Sequence, residues 1–184
     1  MLRRLYDYTL RLAETPAALP ALAAVAFVES SVFPIPPHVI LIPMIIARPD
    51  AWAKIAFVCS AASVAGAVLG YGIGYAAFEA AAKPILDAYG FLDGFEGFAA
   101  EFNEKGVWAV LFAGATPFPF KVITILAGAT AMPFAPFILA SIVARFAIFF
   151  LIAALLWKIG PPIRDFVEKR LGLMAALFFI LLFG

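Results

Sequence analysis

Four ionisable side chains stand isolated in apolar sequence: Glu29 in VAFVESSVFP, His38 in PPHVILIP, Lys121 in FPFKVITIL and Arg145 in ASIVARFAIFF. One carboxylate and three bases in such surroundings suit two kinds of chemistry, holding an anion and carrying a proton. A charge at the centre of a membrane-crossing helix costs about 2.5–3.5 kcal/mol on insertion scales, so residues of this kind pair with one another or line a pathway. Two of the four lie in proline-rich stretches, FPIPPHVILIP (33–43) and TPFPFKVITIL (116–126), which share the pattern Pro-x-Pro-x-basic-Val-Ile. Pro34 matches Pro117, Pro36 matches Pro119, and His38, Val39 and Ile40 match Lys121, Val122 and Ile123.

The prolines define the chemistry further. Pro34, Pro36 and Pro37 would leave the carbonyls of Ser30, Val32 and Phe33 without helical partners, and Pro117 and Pro119 would do the same to Ala113 and Ala115. Facing lipid, each orphaned group costs several kcal/mol, so the broken backbone must be covered by protein or line a wet cavity. Pro37 and Pro119 are each suited to the first position of a new half-helix. The amides of His38, Val39 and Ile40, and of Phe120, Lys121 and Val122, are then expected to point unpaired at the break, each set beside a basic side chain. Such an end attracts an anion, and phosphate is the expected one. Lys121, Arg145 and His38 become the phosphate-binding candidates, with Glu29 as counter-ion or proton carrier. The plainer alternatives are a hydrogen-bonded core histidine at 38, a snorkelling lysine at 121 and a purely structural ion pair of Glu29 with Lys121 or Arg145.

The elements that must position these groups follow from composition. The 184 residues are 65% apolar and 14% charged, against roughly 25% charged in an ordinary soluble domain. Mean hydropathy is +1.04. The chain therefore reads as an all-α integral membrane protein. A net charge of +1 offers no basic surface for nucleic acid, and one cysteine, Cys59, excludes an intrachain disulfide. One histidine and one cysteine make a metal centre an improbable design, and no nucleotide loop or nucleophile triad is present, so neither enzyme activity nor a cofactor is expected.

Residues 1–16 read as an amphipathic interfacial helix with Leu2, Leu5, Tyr8 and Leu12 on one face. Residues 17–158 read as the membrane domain, with proline-broken re-entrant hairpins at 17–47 and 107–133 and spans at 51–82 and 134–157. Residues 159–184 read as a charged connector and an apolar helix too short to cross unaided. If both hairpins re-enter, nine Lys and Arg collect on one side, while only Lys83 and Lys105 lie on the other, beside five acids. The positive-inside rule then puts the amino terminus in the cytoplasm. Hairpin followed by span, twice and from opposite faces, is an inverted-topology repeat of the transporter kind. Gly66, Gly70 and Gly74 make small-x-x-x-small steps for helix packing. Tyr71 and Tyr75 are expected to reach the hairpin tips, the segment 83–106 to lie on the outer surface, and Trp52, Trp108 and Trp157 to mark interfaces.

Glu29 with FPIPP at 33–37, GAVLGYGIGY at 66–75, GATPFPFKVITILAG at 114–128 and ASIVARFAIFF at 140–150 resemble the DedA, or SNARE-associated Golgi protein (VTT domain), family, in its short YqaA-like branch. The resemblance covers roughly residues 20–158. It implies two re-entrant hairpins in an inverted repeat and movement of lipids between leaflets, of undecaprenyl phosphate in bacterial relatives and of phospholipids in eukaryotic ones. By the same resemblance Glu29 is the hairpin acid and Pro117 the second-hairpin proline. The chain departs from many relatives in having Gly114 and Phe120 where they have arginines, and Tyr71 where they have an acid.

The expected function is therefore transport of a phosphate-bearing lipid by a flippase-like or scramblase-like protein of the bacterial inner membrane, multi-pass, with membrane lipids as partners and proton coupling and homo-oligomerisation as open additions. Two rivals stand beside it. One is a proton-coupled carrier of a small soluble anion; the other is a membrane assembly or interaction protein that transports nothing.

Overall fold

Proline decides where several helices of this chain stop, and small residues decide how closely they pack. The computed structural model describes residues 15–32, 36–116 and 118–183, with side chains described as far as Ile159. Residues 1–14 of the expected amphipathic helix, Pro34 and Pro117 lie outside the described residues.

The described elements are helical: α1 (Ala18–Ser31), α2 (His38–Ala47), a 3-10 turn (Pro49–Ala51), α3 (Trp52–Ala77), a π turn (Phe78–Ala82), α4 (Lys83–Ala88), α5 (Leu92–Ala115), α6 (Phe120–Ala129) and α7 (Phe134–Phe183). Two stretches are long and apolar enough to cross a membrane, Pro49–Ala88 and Phe134–Ile159. α1, α2 and α6 have 14, 10 and 10 residues. Each is shorter than the roughly 20 residues that a 30 Å hydrocarbon core demands. The π turn immediately precedes Pro84, whose missing amide would otherwise strand the Ala80 carbonyl in a regular helix.

Two boundaries differ from the sequence expectation. α5 begins at Leu92, well before 107, so much of the polar segment 83–106 is the first half of a long helix. The backbone of the expected charged connector beyond 158 is also helical, as part of α7.

Helix ends are closed by backbone bonds. After α4, Phe91 N–H bonds Leu86 O at 2.8 Å and Gly90 N–H bonds Asp87 O at 3.1 Å, with Gly90 at φ +73°. After α6 the same pairing recurs: Met132 N–H to Ala127 O at 2.9 Å and Ala131 N–H to Gly128 O at 3.0 Å. Both are Schellman ends. Here the left-handed position is filled by Ala131 (φ 49°), where glycine would be unstrained.

Two apolar clusters form the interior. One joins Ala18 and Leu22 at the start of α1, Met44 and Ile45 at the end of α2, Ile55 in α3 and Leu156 in α7. Trp52 stacks on Trp157 nearby, ring centroids 5.5 Å apart. The other joins Val110 and Ala113 of α5, Phe120 and Ala127 of α6, Ala67 of α3 and Phe137 of α7. Asn103 in α5 ties the end of α6 by donating from Nδ2 to Thr130 O at 2.8 Å and accepting from Thr130 Oγ1 at 3.2 Å.

α3 is the element against which both proline-broken pairs rest. A Cβ added at Gly66 would meet the Phe27 carbonyl of α1; one at Gly70 would meet Thr124 Oγ1 and the Ser30 carbonyl; one at Gly74 would meet the Ile125 carbonyl of α6. The stripe thus serves α1 at one end and α6 at the other.

Candidate functional site

The helix interruptions at the two proline motifs bring polar groups from four helices into the interior. Glu29, two residues from the end of α1, and Arg145, near the middle of the Phe134–Ile159 stretch of α7, are 8% and 4% exposed. They form an ion pair, Arg145 Nη2 to Glu29 Oε2, at 2.6 Å.

Two serines complete the arrangement. Arg145 Nε donates to Ser63 Oγ at 2.6 Å, Ser63 and Ser30 hydroxyls lie 2.7 Å apart, and Ser30 Oγ donates to Glu29 Oε2 at 3.1 Å. Because the carboxylate only accepts, the Ser30 proton points to Glu29, and Ser63 must be the donor to Ser30. The result is a closed ring: Arg145 Nε–H to Ser63, Ser63 to Ser30, Ser30 to Glu29, and Arg145 Nη2–H to the same carboxylate oxygen. The guanidinium also lies over two aromatic rings, its Cζ 4.6 Å from the Phe120 ring centroid and 4.7 Å from that of Phe149. A buried charge is tolerated only when paired and hydrogen-bonded, and each of these contacts answers that demand.

The carbonyls left behind at the end of α1 are satisfied from α6. Thr124 Oγ1 donates to Ser30 O at 3.0 Å, and Lys121 Nζ donates to Val32 O at 3.2 Å. The lysine is therefore engaged by backbone, and it is not among the residues lining the adjoining cavity.

That cavity, of about 380 Å³, lies where the two breaks meet. Its polar lining comprises Glu29, His38, Thr116 and Arg145; Pro36, Pro37 and Pro119 form parts of its wall, as do Phe118, Ile148 and Ile152. The His38 ring sits 5.5 Å from that of Phe149. Arg145 donates through Nε and Nη2, while Nη1 has no hydrogen-bond partner among the described residues. Two N–H donors of a cation are thus available for an anionic oxygen.

Several expectations need correction. Pro37 and Pro119 are the capping residues before α2 and α6, one position earlier than expected. The amides of Val39, Ile40 and Val122 do not point free into the break: they close onto the carbonyls of Pro36 (3.3 Å), Pro37 (3.1 Å) and Pro119 (3.0 Å). Tyr71 does not reach a break either, since its hydroxyl donates to Met132 O at 2.7 Å beyond the end of α6. At these three amides the expected anion attraction is lost, and Arg145 is the cation on the cavity wall. Ser63, Thr124, Phe120 and Thr116 escape a sequence reading. The one signal for Ser63 is the pair Ser60 and Ser63, one turn apart in a helix of small apolar residues. Among the described residues no group of three His, Cys, Asp or Glu is placed to hold a metal ion.

The VTT domain matches residues 33–158, which span both proline motifs, the glycine stripe and Arg145. An uncharacterized protein of Haemophilus influenzae is 38% identical over 168 residues, covering 89% of this chain and 87% of its own. An uncharacterized protein of Histophilus somni is 40% identical over 168 residues, with the same coverage. No solved structure matches. With the domain spanning well over half of the chain and relatives of this similarity along nearly all of it, the chain belongs to the VTT-domain, or DedA, family of membrane proteins.

Proposed function

We propose that this protein moves a phosphate-bearing lipid, undecaprenyl phosphate or a glycerophospholipid, between the leaflets of the bacterial inner membrane, as a flippase-like or scramblase-like transporter and not as an enzyme. Family membership supports a transporter-like role. The single observation that carries the lipid reading is the cavity between the two breaks, with a buried cation at its wall and apolar residues around it. A headgroup crossing the hydrocarbon core must give up its hydration, and preset donors in a partly covered site replace part of it. Arg145 Nη1 supplies the charge-assisted bonds, and His38 and Thr116 supply further polar contacts. Pro36, Ala115, Phe118 and Pro119 are exposed at the cavity's edge, where acyl or prenyl tails can stay in the bilayer.

In this reading the pairs α1–α2 and α5–α6 re-enter the membrane as hairpins, and each with its following span makes one half of an inverted repeat. The shortness of α1, α2 and α6 supports re-entry, as do the shared cluster of the α1 start with the α2 end and the bond from Asn103 to Thr130. The uneven distribution of Lys and Arg supports a cytoplasmic amino terminus. An arriving phosphate competes with Glu29 for Arg145. Any coupling of transport to protons runs through this carboxylate.

The test is leaflet exchange in proteoliposomes, comparing undecaprenyl phosphate with a glycerophospholipid, with and without a pH gradient. Exchange of either lipid above protein-free vesicles supports the reading and names the substrate class. Failure of both, with protein shown to be folded, overturns it. Anion flux in the same vesicles would then establish a soluble-anion carrier.

A further inference from the structure

Positions 141, 145, 148 and 152 of α7 are spaced i, i+4, i+7 and i+11, which a repeat of 3.6 residues per turn places on one face. Arg145, Ile148 and Ile152 line the cavity; Ser141, one turn nearer the start of α7, is fully buried and outside the lining. The stripe therefore continues past the cavity into sealed interior.

Ser141 Oγ has no hydrogen-bond partner among the described residues. A serine inside a helix ordinarily turns its hydroxyl onto the carbonyl one turn back, as Ser60 does onto Ala56 O at 2.8 Å. Ser141 does not, and an unpaired buried hydroxyl is unfavourable where alanine would pack without penalty. Thr116 Oγ1, on the cavity wall, is likewise buried and unpartnered. With Arg145 Nη1 there are thus unspent donors at two residues of the cavity wall, and at Ser141 one turn further toward the start of α7.

We propose that Ser141 is the next binding station for a phosphate group beyond Arg145, in a half of the path that is closed in this conformation. The proposal rests on the transport reading and extends it: the visible cavity serves one side of the membrane, and Ser141 serves the other. A phosphate oxygen accepts from the Ser141 hydroxyl as it accepts from the guanidinium, and the step between the two is about 6 Å along the helix axis.

Two arms test it. Ser141→Cys and Ile152→Cys are each treated with a membrane-impermeant thiol reagent from either side of sealed vesicles, with the wild type, whose Cys59 is buried, as the blank. Ile152→Cys is expected to react from one side and Ser141→Cys from the other. Labelling of Ser141→Cys from the same side as Ile152→Cys, or from neither side, overturns the proposal. In the second arm, Ser141→Ala is expected to keep or raise the thermal midpoint while slowing lipid exchange at least five-fold, with Ser141→Thr retaining exchange. A purely structural serine predicts unaltered exchange, and that result also overturns it. A wild type that exchanges no lipid would refute the transport reading by itself, whereas Ser141→Ala with wild-type exchange would refute only the role of Ser141.

Discussion

Arg145 shows at the scale of single residues how a full charge is kept inside an apolar chain. Its guanidinium has a carboxylate at 2.6 Å and a serine on Nε, and lies over two aromatic rings. Removing one member of such a pair leaves the other buried and unpaired, at a loss of about 3–5 kcal/mol, whereas replacing both with apolar residues of similar volume is close to neutral or stabilising. Glu29→Gln should therefore lower unfolding stability in detergent by roughly that amount, and Glu29→Met with Arg145→Met should recover most of it. Equal losses in the single and the double variant would show that the pair's ionic character is not what matters. Glu29 and Arg145 were legible in sequence because isolated charges in apolar runs are rare. Their pairing was legible only as a choice between Lys121 and Arg145, because 116 residues separate Glu29 from Arg145 and the packing of α1, α3 and α7 decides between the two. Ser63 was hidden for a related reason: a hydroxyl among alanines and glycines reads as packing until the partner it faces is known. For Lys121, depth in the sequence was visible, but the carbonyl it meets belongs to α1 and depends on how the two breaks dock.

At the scale of elements, α3 acts as a spine because three of its glycines admit other backbones to close range. Gly66 and Gly74 are the tightest, against the Phe27 and Ile125 carbonyls; at Gly70 a methyl group would strike Thr124 Oγ1 and lie 3.0 Å from the Ser30 carbonyl, at the junction between the ring of hydrogen bonds and α6. Gly70→Ala should destabilise by about 1–3 kcal/mol through overpacking. Gly72→Ala, where an added Cβ meets nothing within 4 Å, should be neutral or stabilising by up to ~1 kcal/mol. Thermal unfolding of the two variants side by side checks the pair, and a similar response from both would contradict this packing. The breaks themselves could be read from Pro36, Pro37 and Pro119, which cannot sit in a helix interior without loss. The start of α5 at Leu92 could not be read so easily, because Asp93, Glu96, Glu101, Glu104 and Lys105 mask its continuity with the apolar half. The end of α6 was equally obscure, since Ala131 takes a left-handed conformation that alanine does not advertise.

In the molecule as a whole, the described residues hold two helical stretches long enough to cross, three apolar helices too short to do so and a cavity where the breaks meet, a membrane protein organised around its interior. The energetic demand on a lipid transporter is to lower the penalty of a charged headgroup near the bilayer centre without opening a leak. A cation held ready by neutral hydroxyls, a carboxylate and aromatic rings can meet that demand because its bonds are already oriented before the phosphate arrives. The proposed function requires this charge, and not simply the presence of a folded helical body, to move the headgroup. It is tested most directly by measuring leaflet exchange in proteoliposomes containing wild type or the Glu29→Met, Arg145→Met double variant, each verified as folded by its unfolding midpoint. The account predicts exchange by the wild type and a loss of at least ten-fold in the double variant. Wild-type rates from a folded protein lacking both charges would contradict it.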